Sequence, residues 1–158
     1  MNLLTAASAV EGRLVGNDVD FERVVTDSRE LSGGELFVAL KGEKFDGHEF
    51  VAQAKSSGAV AALASQELEI DLPTLVVEDT TLSLGRLAAY WRCQFNLPVV
   101  AVTGTNGKTT VREMITSILS EGGPVLSPRA NFNNNIGMPI TLLGLREEHH
   151  HAVLELGM

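Results

Sequence analysis

The order of apolar and polar residues along the chain predicts short strands that alternate with amphipathic helices. Short apolar runs, and apolar residues at every second position, are typical of strands, whereas apolar residues every three or four positions are typical of helices. Strands are expected at about residues 19–26, 36–40, 59–64, 75–77, 98–103, 125–126 and 152–156. Helices are expected near the N-terminus, over 48–57, 80–97 and 110–121, and in part of 136–145. This alternation predicts an α/β fold.

The pattern changes character near residue 80, which predicts two domains. Residues 1–80 mix strand and helix signals and predict a small mixed α/β domain. Residues 81–158 contain two continuous apolar runs, Pro98–Thr103 and Ala152–Leu156, which are typical of a parallel sheet covered on both faces. So few strands cannot bury both faces of a sheet, and the chain stops directly after the second run. We therefore expect 81–158 to be the incomplete start of a parallel-sheet domain, and the chain to be an N-terminal fragment.

The strongest chemical signal is the loop between the strand that ends at Thr103 and the next helix. Its sequence is Gly104-Thr105-Asn106-Gly107-Lys108-Thr109, followed by Thr110. A glycine-rich loop in this position points backbone N–H groups at phosphate oxygens, and the helix N-terminus adds its dipole. Lys108 would then reach the β- and γ-phosphates of a nucleotide, and the Thr109 hydroxyl would bind Mg²⁺. The strict P-loop pattern needs a glycine where this chain has Val102, so we expect a shorter variant; the alternative is an ordinary glycine-containing turn.

Two further features could complete a nucleotide site. Glu155 lies inside the last apolar run, where a carboxylate is costly unless it is paired or bound to a metal. The alternative is a glutamate at a strand end that is exposed to water. The segment Asn131–Pro139 contains four asparagines, whose amides can donate to phosphate and accept from an amine or a metal-bound water. The alternative for this segment is a polar loop rich in turn residues.

Composition and charge exclude several classes of protein. The 158 residues are 44% apolar and 20% charged, which is too apolar for a disordered chain, and no apolar run approaches the length of a membrane span. The formal net charge of −8 argues against a general nucleic-acid binder. The single cysteine, Cys93, excludes an intrachain disulfide, and the N-terminus lacks the basic region of a secretory signal. We therefore expect a cytoplasmic protein, with Cys93 as a buried or half-buried structural thiol.

The phosphate loop, the asparagine segment and Glu155-Leu156-Gly157 together resemble the Mur ligases, the ATP-dependent amide ligases of peptidoglycan assembly. The asparagine segment and Val111–Met114 are most similar to the branch that joins D-Ala-D-Ala to UDP-N-acetylmuramoyl-tripeptide. The first half also resembles the UDP-sugar-binding domain of that branch. The segments that carry this second resemblance are Thr26–Arg29, Gly34–Ala39, Gly42 and Phe45–His48.

The resemblance implies a role for each matched residue. Residues 1–80 would bind the UDP-muramoyl substrate, and 81–158 would be the N-terminal part of the central ATP-binding domain. ATP would contact Gly104, Thr105, Asn106, Gly107, Lys108, Thr109 and Thr110. Lys108, Asn134 and Glu155 would serve catalysis, and Thr109 and Glu155 would hold Mg²⁺. The substrate would contact Ser28, Arg29, Asp46, Gly47 and His48. Read without the family, Asp27-Ser28-Arg29 could be a turn with a local ion pair, and Asp46-Gly47-His48 could be a helix N-cap.

The resemblance implies a bacterial, cytoplasmic and monomeric ligase, inactive in the 158-residue form because half of the family's catalytic residues have no counterpart here. The alternatives are the branch that adds the third amino acid, a more distant ligase of the family, or a nucleotide-binding module without catalysis. The run His149-His150-His151 is expected to be a solvated loop rather than a metal site, because alternate side chains of a strand point to opposite faces.

Overall fold

The computed structural model describes residues 1–42, 45–128 and 132–157. The described residues form eight strands and five helices, with single turns of 3₁₀-helix at Ser28–Glu30 and Gly47–Phe50. The helices are α1 (Leu3–Val10), α2 (Val51–Ser56), α3 (Thr80–Arg92), α4 (Lys108–Ser120) and α5 (Gly137–Leu143). The strands are β1 (Arg13–Val15), β2 (Arg23–Val25), β3 (Glu35–Val38), β4 (Ala61–Ala64), β5 (Thr74–Val76), β6 (Val99–Val102), β7 (Val125–Leu126) and β8 (His151–Glu155). In this part of the chain every helix is too short or too polar to cross a membrane.

The chain divides into two compact units, residues 1–87 and the part from Ala88 onward. The division falls within α3, after Leu87, past the middle of that helix. Each unit has a sheet of its own, so the two are described separately.

The first unit is built on a five-stranded sheet in the order β1-β5-β4-β3-β2. Neighbouring strands run parallel except for β1, which pairs antiparallel with β5. Strands β3 and β4 are buried along their whole length. Apart from Glu35 at the start of β3 their residues are apolar, which is typical of strands covered on both faces. Apolar side chains from these strands pack with Val51 and Ala54 of α2 in one core cluster.

A buried glutamate stabilises the turn that leads into β3. The Glu35 carboxylate is 2% exposed and accepts hydrogen bonds from the Ser32 N–H, the Ser32 hydroxyl and the Gly33 N–H. Arg23 Nη2 lies 3.1 Å from its Oε1. Burial opposes ionisation, but these hydrogen bonds and the arginine together hold the pKa of Glu35 below its ordinary value.

The second unit contains a parallel three-stranded sheet in the order β6-β8-β7. The register pairs Val102 of β6 with Glu155 of β8, so the carboxyl ends of both strands meet at one edge. The indole N–H of Trp91 donates to the Leu145 carbonyl at 3.1 Å and fastens the end of α3 to the segment before β8.

The mixed α/β fold class, with parallel sheets, is confirmed. Three expectations of detail were wrong. Strand β1 was not expected, Phe95 lies beyond the end of α3, and Cys93 is exposed rather than buried. The apolar stripe of α4 is also largely exposed, with Met114 60% and Ile118 68% accessible to solvent.

Candidate functional site

The phosphate loop has the backbone geometry that its glycines allow. Gly104 and Gly107 have φ angles of 146° and 74°, which lie in the region that favours glycine. Helix α4 begins at Lys108, directly after Gly107. Because glycine has no side chain, nothing from this residue covers the first N–H groups of the helix. The loop therefore presents an open helix N-terminus, which suits an anion.

The ammonium group of Lys108 lies over the loop. Its Nζ donates a hydrogen bond to the Gly104 carbonyl at 2.7 Å. A cavity of about 500 Å³ opens at this point. Its lining consists of Thr105, Asn106, Gly107, Lys108, Thr109, Thr110, Asn133 and Glu155. The structure thus brings most of the residues expected to bind nucleotide, together with the glutamate, around one polar cavity.

Glu155 is buried at the carboxyl end of β8 and faces the loop. It is 2% exposed, its Oε2 accepts from the Thr109 hydroxyl at 2.9 Å, and its Oε1 accepts from Asn133 Nδ2 at 2.9 Å. Arg112 Nη1 lies 3.8 Å from Oε2. The Asn133 hydrogen bond is the largest cause that lowers the pKa of Glu155; burial opposes it, and Thr109, Arg112 and Lys108 add to the lowering. The glutamate is therefore an ionised, buried group rather than a solvated strand end.

Two side chains of the asparagine segment, Asn133 and Asn134, make different contacts. Asn134 Oδ1 accepts from the N–H groups of Ile136 and Gly137, at 3.1 and 2.7 Å, where α5 begins. Asn133, not Asn134, contacts Glu155. The density of asparagines indicated a polar site, but nothing in the sequence distinguished Asn133 from its neighbours. Asn131 lies outside the described residues.

The oxygen atoms at this site fit a magnesium ion. Mg²⁺ prefers hard oxygen ligands, commonly one or two protein groups with phosphate and water completing the shell. Adjacent ligands of an octahedral Mg²⁺ are about 2.9 Å apart, because each lies about 2.0–2.1 Å from the ion. The observed separation of Thr109 Oγ1 and Glu155 Oε2 is 2.9 Å. The Thr109 hydroxyl donates a hydrogen bond to Glu155, so the lone pairs of its oxygen remain for a cation.

The histidines before β8 are engaged with the backbone. His149 Nδ1 accepts from the Arg146 N–H at 3.0 Å, and His150 Nδ1 lies 2.9 Å from the Gly122 carbonyl. Among the described residues, no group of three or more His, Cys, Asp or Glu side chains is placed to hold a metal ion.

The first unit contains a second cavity, of about 570 Å³. Its lining consists of Thr26, Asp27, Ser28, Arg29, Phe37, Phe45, Phe50 and Gln53. Arg29 Nη2 and Nε donate to Asp27 Oδ2 at 2.6 and 3.1 Å, and this pairing lowers the pKa of Asp27 to about 2. The local ion pair that the turn alternative predicts is therefore present, and it forms part of a cavity wall.

The rings of Phe45 and Phe50 form an apolar wall of this cavity, which the sequence did not predict. Phe45 and Phe50 are stacked with centroids 5.2 Å apart and an interplanar angle of 23°, and Phe45 is 49% exposed. Phe45 belongs to the Phe45–His48 segment that resembles the substrate domain, but nothing in the sequence indicated that its ring stacks on Phe50. A flat apolar face next to polar groups suits a heterocyclic base.

The Asp46-Gly47-His48 segment is held by its own hydrogen bonds. Asp46 Oδ1 accepts from the His48 N–H at 3.0 Å and lies 2.5 Å from His48 Nδ1. His48 Nε2 accepts from the Ser65 N–H at 3.0 Å, so both ring nitrogens are engaged. The backbone hydrogen bond from His48 is the main cause that lowers the pKa of Asp46. The structure thus places Ser28 and Arg29 on the cavity wall and the other three expected substrate residues directly after Phe45.

Two family models match the chain. The Mur ligase family, catalytic domain, matches residues 20–106, and the Mur ligase middle domain matches residues 102–158. The chain belongs to the Mur ligase family. The resemblance that the motifs indicated is therefore confirmed.

Curated Mur ligases match nearly the whole chain. The UDP-N-acetylmuramoyl-tripeptide–D-alanyl-D-alanine ligase of Escherichia coli K12 is 53% identical over 148 residues, which are 94% of this chain and 33% of that protein. The chain spans about a third of the length of the curated relatives it matches.

Solved structures of Mur ligases share the fold. MurF from Acinetobacter baumannii is 43% identical, with a TM-score of 0.90, over 98% of this chain and 35% of that one. MurF from Thermotoga maritima, solved in complex with ADP, is 35% identical with a TM-score of 0.74, over 84% of this chain and 31% of that one.

Proposed function

We propose that this segment supplies the UDP-substrate-binding unit and the phosphate loop of an ATP-dependent ligase that joins D-Ala-D-Ala to UDP-N-acetylmuramoyl-tripeptide. The observation that carries the proposal is the hydrogen bond between Thr109 of the loop and the buried Glu155. That contact puts a hydroxyl and a carboxylate at the mouth of an open helix N-terminus. The names of the curated relatives support the substrate pair, because they are D-alanyl-D-alanine ligases.

In this proposal the phosphates of ATP bind to the loop N–H groups and to Lys108. Phosphoryl transfer needs little covalent chemistry from the protein, so positioning and charge neutralisation are its main contributions. Lys108 now donates to the Gly104 carbonyl. On binding, it would exchange this neutral acceptor for a phosphate oxygen, and charge-assisted hydrogen bonds of that kind are the stronger ones. Residues 104–110 therefore form the nucleotide-binding set.

Thr109 and Glu155 are the residues that would hold Mg²⁺, which neutralises phosphate charge when bound. Their oxygens fit the ion in type and in separation. Asn134 remains in the proposal as a group that orients the reactants. Its side-chain oxygen accepts two backbone hydrogen bonds, so only its amide N–H groups are left to donate to a ligand.

The cavity of the first unit would hold the UDP end of the substrate. Ser28 and Arg29 line it, while Asp46, Gly47 and His48 build the segment that follows Phe45. Binding energy from the nucleotide end would position a distant carboxylate for the reaction. That carboxylate would attack the γ-phosphorus of ATP with release of ADP. The amine of D-Ala-D-Ala would then attack the resulting acyl phosphate, form the amide and release phosphate. We place this ligase in the bacterial cytoplasm, as a monomer. Residues 1–80 would be its UDP-substrate-binding domain, and residues 81–158 would be the N-terminal part of its central ATP-binding domain.

Phosphate release by the full-length gene product tests the proposal. The assay contains ATP, Mg²⁺ and UDP-N-acetylmuramoyl-tripeptide, with and without D-Ala-D-Ala. Release that depends on D-Ala-D-Ala is the expected result. Release that depends instead on a diamino acid and UDP-muramoyl-dipeptide would favour the branch that adds the third residue. Nucleotide binding without any release would indicate a module without catalysis.

A further inference from the structure

Asn133 connects the asparagine segment to the end of β8 through two separate hydrogen bonds. Its carbonyl accepts from the Gly157 N–H at 2.7 Å, and its side-chain Nδ2 donates to Glu155 Oε1 at 2.9 Å. One bond fixes the backbone of Asn133 beside the strand, and the other fixes the carboxylate that faces the phosphate loop. The side chain of Asn133 also lines the cavity of the loop.

The close approach of these two segments requires a glycine at position 157. A Cβ atom at Gly157 would lie 2.7 Å from the Asn133 carbonyl oxygen. Real Cβ atoms essentially never come so close to a backbone oxygen, so any larger residue would push the asparagine segment away from β8. Gly157 therefore has a packing reason in addition to its place in the Glu-Leu-Gly motif.

We propose that Asn133 is a positioning residue, which orients the Glu155 carboxylate toward the Thr109 hydroxyl and thereby sets the affinity for the magnesium–nucleotide complex. This inference rests on the proposed function of the loop. The sequence indicated the asparagine segment as a whole and named Asn134, not Asn133, for catalysis.

The physical reason is the rotational freedom of a carboxylate. A glutamate side chain can turn about its last bond and present either oxygen, or an edge between them, to the loop. In the structure Asn133 holds Oε1, so Oε2 faces Thr109. Mg²⁺ demands near-ideal octahedral geometry and tolerates misplaced ligands poorly. Residues that orient metal ligands in this way commonly change metal affinity about 10–100-fold when they are replaced.

The experiment is an ADP titration of the ¹⁵N-labelled chain, followed through the amide signals of Gly107 and Lys108. Each variant is titrated once with excess Mg²⁺ and once with a chelator, and the ratio of the two dissociation constants is the magnesium enhancement. For Asn133→Ala we expect the enhancement to fall about 10-fold or more, with magnesium-free binding changed less than about twofold. The matched control is Asn96→Ala, which removes the same amide from an exposed position of the same unit.

A double-mutant cycle separates positioning from a general structural role. In a Glu155→Gln background, Asn133→Ala should cause little further loss of the enhancement, because the group that it orients no longer carries the charge. Amide spectra and thermal unfolding check the fold of each variant. Asn133→Ser, which keeps a donor on a shorter side chain, is the second variant if Asn133→Ala fails to fold, and should keep part of the enhancement.

The outcomes distinguish this inference from the proposed function. Wild-type chain that binds ADP with magnesium enhancement, together with an unchanged enhancement in Asn133→Ala, overturns the positioning role alone. An equal loss with and without Mg²⁺, or an additive double mutant, also overturns it. Failure of the wild-type chain to bind ADP at all would overturn the proposed phosphate site, and this inference with it.

Discussion

Replacement of Gly47 by alanine should destabilise the first unit, although its backbone conformation is open to any residue. A Cβ atom at this position would lie 2.7 and 2.8 Å from the carbonyl oxygen and the nitrogen of Leu40, and 2.9 Å from the carbonyl carbon of Ala39. All three are backbone atoms directly after β3, so no side-chain rotation can relieve the overlap. The Gly47 N–H also donates to the Leu40 carbonyl at 2.7 Å, and this bond would lengthen or break.

The expected cost combines the overlap with the hydrogen bond. Overpacking in a close-packed region costs about 1–3 kcal/mol, and a backbone hydrogen bond contributes about 0.5–1.5 kcal/mol. We therefore expect Gly47→Ala to lower the free energy of unfolding by about 2–4 kcal/mol. Gly85→Ala is the matched control, since Gly85 lies in α3 and a Cβ there meets nothing within 4 Å. That variant should be stabilised by about 0.5–1 kcal/mol, because alanine loses less backbone entropy in a helix.

Urea unfolding followed by far-ultraviolet circular dichroism measures both variants. Hydrogen exchange of peptides from residues 35–64 then shows whether the loss is local to the first unit. Fluorescence of Trp91, the one tryptophan of the chain, reports on the second unit. A Gly47→Ala chain within about 0.5 kcal/mol of wild type would refute the steric argument, since ordinary surface substitutions stay within that range. So would a Gly85→Ala chain that loses as much stability as Gly47→Ala.

Two shorter predictions concern charge. Lys108→Ala should weaken ADP binding about 10–100-fold, because hydrogen bonds to charged groups are worth about 1.5–3 kcal/mol; titration of the chain with ADP measures this, and an unchanged affinity would contradict the role of Lys108. Asp27 has its pKa lowered from 3.8 to about 2 by Arg29, so its ionised form stabilises the fold above pH 4 and this contribution is lost as the pH falls toward 2. Asp27→Asn should therefore flatten the stability curve between those pH values, as acid unfolding would show, and an identical curve would mean that the ion pair contributes nothing.

The alternation of apolar runs predicted most strands of both sheets, because a buried parallel strand must be apolar on both faces. It did not predict β1. That strand has only three residues, Arg13–Val15, and pairs at the antiparallel edge, where so short a segment shows no period. The apolar periodicity over 110–121 predicted a helix, and α4 is present there. It could not show which neighbour covers the apolar stripe, and Met114 and Ile118 are exposed in this chain.

The sequence predicted which motifs form the site, but it did not predict which individual side chains make each contact. The loop and Glu155 could be placed together from the sequence, because the carboxyl ends of parallel strands lie at the same edge of a sheet. The structure adds the register, in which Val102 pairs with Glu155. Which asparagine reaches Glu155 could not be predicted. The Asn134 side chain accepts hydrogen bonds at the start of α5, whereas the Asn133 side chain donates to Glu155 of β8. Which asparagine makes which contact depends on the path of the loop. The places of Phe50 and Gln53 on the wall of the first unit's cavity could not be predicted either, because chain topology rather than local sequence brings them there.

Two glutamates among the described residues are buried, and they show why burial alone does not identify a functional carboxylate. Glu35 and Glu155 are each 2% exposed, and each has a lowered pKa. Glu35 lies at the amino end of β3 and accepts its hydrogen bonds from the turn directly before it, from Ser32 and Gly33. Glu155 lies at the carboxyl end of β8, and it accepts hydrogen bonds from the side chains of Thr109 and Asn133, which come from distant segments and line the phosphate cavity.

This contrast predicts opposite effects for the same substitution. Glu35→Gln should lower the free energy of unfolding by about 1.5–3 kcal/mol, because it weakens hydrogen bonds to a buried charge, and it should leave magnesium-dependent ADP binding unchanged. Glu155→Gln should lower the magnesium enhancement about 10-fold or more, with a smaller effect on stability, because Thr109 can still donate to the amide oxygen. Urea unfolding measures the free energy of unfolding of each variant, and ADP titration with and without Mg²⁺ measures its magnesium enhancement. If Glu35→Gln impaired nucleotide binding as much as Glu155→Gln, the position of a carboxylate in its sheet would not distinguish a structural role from a functional one. The argument that Glu155 serves nucleotide binding would then fail.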